Sequence, residues 1–289
     1  SDLNGGCSSI HFLKYTFIRY GRRECGGSMT VVKTNEWLEQ SADHLKICER
    51  LKPYFHENNP EDISKYLHAF GMFRGEQTGQ SLYSNLKKNK VWEFVKSDEA
   101  FLKKEWGGPD VPIFILPADA GNRKMRNEFG GKSGLAFHDK LFLFLSDNSK
   151  KEIQVILTHE YHHVCRLAKD PKKEKDYTLI DAVILEGLAE NAVRERMGEE
   201  FAGSWTKRYS KEQISQFYQS IIEPNQDLKR DSRKFSQLMF GTGFYPKMLG
   251  YAAGYHLVKC YMEMTKTNIK DLFAVSSDEI VKKSLIKPN

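Results

Sequence analysis

A five-residue stretch, His159-Glu160-Tyr161-His162-His163, constrains this chain more than any other feature. It lies in a segment whose residue spacing predicts a helix from about residue 151 to residue 167. At positions i and i+4 of a helix, His159 and His163 share one face, where both imidazoles can reach a single metal ion. The carboxylate of Glu160 would lie beside that ion, where it can take a proton from a water molecule. The stretch therefore predicts a helix that binds a metal and carries its own base.

Two alternatives stay open for this stretch at the level of sequence. It could be the solvated polar face of a surface helix, with no metal at all. His162 could also replace His163 as a ligand, because residues at i and i+3 share a face, but Glu160 would then be placed differently. Outside the stretch, His138 is predicted to be a turn residue and Cys165 a small core residue. The histidines predicted to be surface or interfacial residues of N-terminal helices are His44, His56 and His68.

A second segment, from Thr178 to Val193, is almost entirely apolar. Thr178 and Asp181 form a plausible capping pair for a helix that starts there. A helix that is apolar on most sides is a buried helix. Glu186 and Glu190 are therefore predicted to be carboxylates inside the core, where ionised carboxylates normally have a charged partner or a metal.

Glu186 is the predicted third metal ligand, since a catalytic zinc site normally has three protein ligands and one open position. Glu190, one turn further on, is predicted to accept the free ring N–H of a ligating histidine. Gly187 suggests a close packing contact, because glycine inside a helix lowers stability unless something requires it. The alternatives are that both glutamates line a solvated edge of the helix, or that Glu190 replaces Glu186 as the ligand.

The two segments together resemble those of known metallopeptidases. The histidine stretch, followed after 22 residues by Glu186-Gly-Leu-Ala-Glu190, resembles the gluzincins, in which a glutamate on a second helix completes a zinc site. When the segment Gly130–Phe137 is also considered, the chain resembles the YjaZ-type family of predicted zinc-dependent proteases more closely than it resembles the gluzincins in general. The likeness runs from about Met29 to the C-terminus. It implies a Zn²⁺ cofactor, a peptide or protein substrate and a zincin-like fold.

A weaker part of the resemblance concerns the segment that contains Tyr251 and Gly254. In gluzincin aminopeptidases, a tyrosine three residues before a glycine, at the start of a helix, donates a hydrogen bond to the oxyanion. Tyr251 matches that spacing, which implies a catalytic role, but Ala253 stands where those enzymes usually have lysine. Tyr255 and His256 are alternative donors. The chain also lacks the Gly-Ala-Met-Glu-Asn segment that holds a free amino terminus, which argues against an aminopeptidase.

The expected fold is a single α+β domain of zincin type, mostly helical, with a small twisted β-sheet packed on the His159 helix. Asn59-Pro60 is a good helix start, and Trp106-Gly-Gly-Pro109 is a good helix stop. The predicted N-terminal helices cover residues 35–57, 61–70 and 81–104. The predicted strands cover residues 111–116, 134–137 and 141–145.

Composition and charge indicate a soluble protein with no nucleic-acid partner. The net charge is +6, but the lysines are spread along the chain among acidic residues, and no nucleic-acid motif accompanies them. The five cysteines are odd in number and scattered, which favours a reducing compartment and hence the cytoplasm. No apolar run reaches the length of a membrane span. The sequence does not indicate an oligomeric state.

Residues 1–28 differ from the rest of the chain, because they contain glycine pairs and no helical period. We expect them to be a tail outside the folded domain, which would then cover residues 29–289. The functional expectation is a zinc metallopeptidase with His159, His163 and Glu186 as ligands and Glu160 as base. The alternative is a non-catalytic module that keeps zinc for structure and binds a peptide or a partner.

Overall fold

The part of the chain that can be described in the computed structural model is mostly helical and contains one small sheet, which agrees with the predicted α+β class. The described residues are 30–55, 59–119, 121–122, 131–170 and 172–284. They belong to two compact units, one that ends at Tyr161 and one that begins at His162. The proposed tail, residues 1–28, lies outside the described residues, so its separation from the domain stays a prediction.

In the described part of the first unit, five α-helices precede the sheet. They are α1 (Thr34–Gln40), α2 (His44–Leu51), α3 (Pro60–Ala69), α4 (Glu76–Lys88) and α5 (Val91–Trp106). The predicted start of α3 is confirmed, because the Asn59 side chain accepts a hydrogen bond from the Glu61 amide at 3.0 Å. The predicted stop of α5 is also confirmed, since Gly107 ends the helix with φ 57°, a conformation that glycine adopts at no steric cost.

Two of the predicted N-terminal helices are wrong as single helices. The prediction for 35–57 is interrupted at residues 41–43, where Asp43 caps α2 by accepting a bond from the Leu45 amide at 2.9 Å. The prediction for 81–104 misses the first turns of α4 and runs through a break at Asn89 and Lys90. Lys90 has φ 53°, so the chain turns sharply there without glycine or proline. Asp43 is a common N-cap residue and Asn89 is of a type common at helix ends, so both breaks carry a sequence signal that the predicted boundaries did not use.

The sheet has three strands in the order β1-β3-β2. They are β1 (Ile113–Pro117), β2 (Ser133–Ala136) and β3 (Leu141–Leu145), all buried throughout. β1 runs parallel to β3 with Ile113 opposite Leu141, and β2 runs antiparallel to β3 with Gly134 opposite Leu143. The predicted strands are confirmed, with shifts of one or two residues at the ends of β1 and β2. β2 is an edge strand of this sheet.

A long helix, α6 (Lys150–Lys169), follows the sheet and is continuous across the division between the units. The other helices of the second unit are α7 (Leu179–Met197), α8 (Lys211–Phe217), α9 (Arg233–Phe240), α10 (Leu249–Thr265) and α11 (Ser277–Ser284). Short helical turns connect them. Within this unit, α7 and α10 pack along each other, and α10 also packs on α11. In the described part of the chain, no helix combines the length and the apolar character that a membrane crossing needs.

Candidate metal centre

The second half of α6 is fully enclosed. Residues 159–166 each have at most 2% of their surface exposed, although the segment contains three histidines, a glutamate and an arginine. The alternative of a solvated surface helix is therefore wrong. Polar groups at this depth have to be held by specific partners or by a metal, because burial removes their hydrogen bonds to water.

Helix α7 brings the predicted third ligand into the core. Its start is fixed as predicted, because the Thr178 amide donates to Asp181 Oδ2 at 2.8 Å and completes a capping box. Burial acts to raise the pKa of Asp181, but hydrogen bonds from Lys172 and the Thr178 amide hold it below its usual value. From there, every residue up to Val193 is buried. The alternative of a solvated edge is wrong for Glu186 and for Glu190, which are 1% and 0% exposed.

The three predicted ligands meet at one point. His159, His163 and Glu186 each offer a ligand atom, and these atoms all lie within 4.8 Å of one another. His163 Nε2 lies 3.7 Å from Glu186 Oε2. Two atoms that bind one tetrahedral zinc at about 2.0–2.1 Å lie roughly 3.3 Å apart, so this pair needs only a small adjustment to share an ion. Two imidazoles and a carboxylate are a normal donor set for a catalytic zinc ion, and the cluster fits that metal.

Glu160 is held against the edge strand by a glycine that the sequence analysis did not single out. A side-chain carbon on Gly134 would lie 2.2 Å from Glu160 Cγ and 2.5 Å from its Cδ. Any side chain at position 134 would therefore displace the carboxylate of Glu160. The signal in the sequence was a glycine inside a strand, which often marks a close approach of another group.

Two glycines let α7 and α10 meet backbone to backbone beside the cluster. A side-chain carbon on Gly187 would lie 2.2 Å from the carbonyl oxygen of Gly254, and one on Gly254 would lie 1.9 Å from a carbonyl oxygen of α7. Asn191 stabilises this helix crossing, because its side-chain amide donates hydrogen bonds to the carbonyl oxygens of Gly187 at 2.8 Å and of Tyr255 at 3.0 Å. The predicted close contact at Gly187 is confirmed. Asn191 was missed, although a lone amide in an apolar helix is a usable signal.

Glu190 has a different contact from the one predicted. Its Oε1 accepts a hydrogen bond from the backbone amide of Gly203, in the turn that follows α7. The same turn holds Trp205, whose ring would collide with any side chain at position 203. A bond from Glu190 to a ligating histidine stays a prediction, to be made by its second oxygen.

The three possible oxyanion donors all lie on α10 and differ in their surroundings. The buried ring of Tyr251 packs against Trp205 and Phe240, with centroids 5.5 Å and 5.7 Å away. Burial raises the pKa of Tyr255 to about 12, so its hydroxyl stays protonated at neutral pH. His256 Nε2 lies 3.1 Å from the carbonyl oxygen of Thr206, and that bond takes up its ring N–H. The assignment of Tyr251 stays a prediction.

The remaining candidates from the sequence lie apart from this cluster or have other contacts. The ring of His162 packs against Phe273 with a centroid distance of 4.9 Å. His138 is exposed, and Cys165 is buried in the core, as predicted. The rings of His44 and His68 lie 5.0 Å apart in the first unit. His56 lies outside the described residues.

Arg166 is a structural residue that the sequence analysis missed. It is 2% exposed and donates to the carbonyl oxygens of Leu272 at 3.0 Å and Phe273 at 2.8 Å. It also pairs with Asp170 at 3.0 Å, which in turn accepts a bond from the Tyr177 hydroxyl at 2.6 Å. These bonds hold the C-terminal part of α6 in place, starting at Arg166, which lies about one turn beyond His163. No local pattern distinguishes this arginine from a solvated one at the end of a helix.

Comparisons with known proteins agree on one family. The profile of a family described as "Predicted Zn-dependent protease (DUF2268)" matches residues 91–282. The uncharacterized protein YjaZ of Bacillus subtilis (strain 168) is 43% identical over 254 residues, which cover 86% of this chain and 97% of that protein. The uncharacterized protein YjfC of the same organism is 26% identical over 225 residues, which cover 72% and 75%. No solved structure matches the chain. The predicted resemblance to the YjaZ-type family is confirmed.

Proposed function

The chain belongs to the DUF2268 family of predicted Zn-dependent proteases, and we propose that it hydrolyses peptide bonds as a gluzincin-like zinc metallopeptidase. The observation that carries the proposal is the buried cluster of His159, His163 and Glu186, whose ligand atoms lie within 4.8 Å of one another. Three ligands leave one position open for chemistry, whereas a purely structural zinc site uses four protein ligands. In the described residues, no fourth ligand belongs to the cluster, which favours catalysis over the non-catalytic alternative.

In this mechanism, each residue of the site has one task. His159, His163 and Glu186 would hold the zinc ion, which would acidify a water molecule and polarise a carbonyl group. Glu160 takes the proton from the attacking water and later returns it to the leaving amine. Glu190 orients a ligating histidine through its ring N–H. The Tyr251 hydroxyl donates a hydrogen bond to the substrate carbonyl oxygen, which gains negative charge during the attack.

The proposed substrate site is the edge strand of the sheet. Among the described strands, β2 pairs on one side only, and Gly134 on β2 lies against Glu160. Because all four residues of β2 are buried, a peptide that adds to its unpaired side and passes Glu160 would need neighbouring segments to move, with main-chain hydrogen bonds providing affinity. We propose extended peptides or unfolded protein segments as substrates. Two of the described cysteines, Cys48 and Cys260, are free thiols, which supports action in the cytoplasm.

The test combines zinc analysis with cleavage of a mixed peptide library by the full chain. Glu160→Gln should keep about one zinc per chain and its fold, but should lose at least about 100-fold in kcat/KM, since an amide cannot accept and return a proton. The matched control is Glu152→Gln on the same helix, where glutamine can still serve the capping box with Ser149. Removing zinc with a chelator should abolish cleavage, and adding zinc back should restore it.

Two results would overturn the proposal. Wild-type turnover by Glu160→Gln would exclude Glu160 as the base. A chain that binds zinc through the three ligands but cleaves nothing in the library would favour the non-catalytic module. Loss of zinc from Glu160→Gln would instead identify Glu160 as a ligand.

A further inference from the structure

A cavity of about 490 Å³ lies in the first unit, and none of the proposed metal ligands lines it, although Ile153 lies six residues before His159 on α6. Its walls come from two turns, residues 88–91 between α4 and α5, and residues 147–150 before α6, together with Phe94 and Ile153. We call it the cationic cleft. Its volume lies within the range of roughly 300–1,000 Å³ that is typical of sites for small molecules.

Three lysines and one aspartate are the charged residues that line the cationic cleft: Lys88, Lys90, Lys150 and Asp147. Within the described residues, none of the three lysines forms an ion pair. By contrast, Lys87, the immediate neighbour of Lys88, pairs with Glu39 at 2.5 Å. The Lys150 ammonium lies 5.4 Å from the centroid of the Phe94 ring. The three lysines and Asp147 are all exposed, so the lining carries three positive charges against one negative charge at the protein surface.

One of the lysines that line the cationic cleft has an uncommon backbone conformation. Lys90 has φ 53°, in the left-handed region that residues other than glycine, asparagine and aspartate rarely adopt. Strained positions of this kind cluster at binding sites, where the surrounding structure enforces them. The strain places Lys90 and Val91 at the rim of the cavity.

The start of α5 adds partial positive charge to the same cavity. Its N-cap residue, Lys90, makes no side-chain capping bond at this end of a 16-residue helix, and Glu93 is the acidic residue of the first turn. The start of α6 differs, since Ser149 and Glu152 cap each other there, with the Ser149 amide donating to Glu152 Oε2 at 2.8 Å. One uncapped helix end and three lysines thus face one cavity.

We propose that the cationic cleft binds a small molecule that carries a phosphate group. A phosphate dianion matches the three ammonium groups and accepts bonds from them and from backbone amides at the start of α5. Asp147 opposes a bare anion but can accept a hydrogen bond from a hydroxyl group of the same ligand, which favours a sugar phosphate over inorganic phosphate. The proposal is independent of the proposed peptidase activity, because no metal ligand lines the cleft.

The test is calorimetric titration of the zinc-loaded full chain with inorganic phosphate and with ribose 5-phosphate. Both should bind, and Lys90→Asn and Lys150→Gln should each weaken binding at least about 10-fold. Asparagine tolerates the left-handed backbone, so Lys90→Asn removes the charge without adding strain. The matched control, Lys96→Gln, changes an exposed lysine of α5 that does not line the cavity and should leave affinity unchanged.

The two probes separate the possible sources of the phosphate. Tighter binding of ribose 5-phosphate, with an advantage that Asp147→Asn removes, would identify an organic phosphate as the ligand class. Equal affinities would support the same site with free phosphate as its ligand. No binding of either probe at 10 mM, or an equal loss in Lys96→Gln, would overturn the proposal. So would binding that survives both cleft variants and disappears in His163→Ala, because the phosphate would then be at the metal centre.

Discussion

The two halves of α6 differ in how the polarity of a side chain relates to its burial. In the first half, Lys150 and Lys151 are exposed, and the buried positions include Ile153, Ile156 and Leu157, so polar and apolar residues separate as in any amphipathic helix. In the second half, residues 159–166 are all buried, whatever their polarity. The first half shows what folding alone requires of this helix. The second half keeps polar groups in the core, which destabilises the fold unless each group has a partner or a metal, and this is the pattern that the proposed metal site predicts.

Replacing a ligand in the second half should have the largest effect. His163→Ala removes one of three proposed ligands, so bound zinc should fall from about one per chain towards zero, and hydrolysis should disappear. Zinc would be measured by elemental analysis after dialysis. His138→Ala, which removes an exposed histidine, should keep its zinc. Full zinc occupancy in His163→Ala would contradict the ligand set and would return His162 to consideration.

Arg166→Gln should produce the largest loss of stability on α6. The change breaks a buried pair with Asp170 and two bonds to backbone carbonyls, so the free energy of unfolding should decrease by about 3 kcal/mol. Lys150→Gln, in the first half, should change it by less than about 0.5 kcal/mol. Both values come from denaturant unfolding with zinc present. Similar losses for the two variants would remove the contrast between the two halves.

Gly187→Ala tests the helix crossing that positions Glu186. The new methyl group would collide with the backbone of Gly254, which a rotamer change cannot relieve, and unfolding free energy should fall by about 2–3 kcal/mol. The control is Gly75→Ala, where the nearest atom, Thr78 Oγ1, is 3.9 Å away. Thermal melting of both variants with zinc content as a second measurement checks this. An unchanged melt for Gly187→Ala would mean that α7 and α10 can move apart freely.

Gly134→Ala should affect activity more than stability. The methyl group would push against Glu160, so kcat/KM should fall about 10-fold or more while zinc stays bound, with only about 1 kcal/mol lost in stability. A double-mutant cycle supplies the control, since Glu160→Ala removes the colliding atoms and should shrink the stability loss caused by Gly134→Ala. Equal losses in both backgrounds would show that position 134 does not act through Glu160.

The sequence predicted those parts of the molecule in which one local pattern determines one structure. Once the helix was recognised, its geometry placed the histidines at positions i and i+4 on one face. The observed bounds of α6 differ from the predicted ones by one or two residues at each end. Glu186 could be predicted because a carboxylate in an apolar helix needs a partner. The apolar runs of β1 and β3 were clear for the same reason: burial on both faces leaves no polar positions.

The parts that could not be predicted depend on contacts between distant residues. Gly134 appears in the sequence as a weak strand residue, and its role becomes visible only when Glu160 lies against it. Arg166 resembles a solvated arginine until the carbonyls of Leu272 and Phe273 are brought to it. The left-handed conformation of Lys90 has no signal at that residue, because lysine does not favour it and tertiary structure imposes it there; Asn89 before it is the weak signal for the break.

The burial of residues 159–166 also determines how fast this part of the chain can exchange atoms with solvent. Amide hydrogens in a helical segment without exposed side chains exchange for deuterium only when the segment opens. His159 and His163 lie in that segment, so the same opening uncovers the two imidazoles. Deuterium uptake by these amides is therefore expected to report on the opening that uncovers the two proposed ligands. A zinc ion bound at the proposed site would stabilise the closed state, so we expect a higher zinc concentration to slow the deuterium uptake.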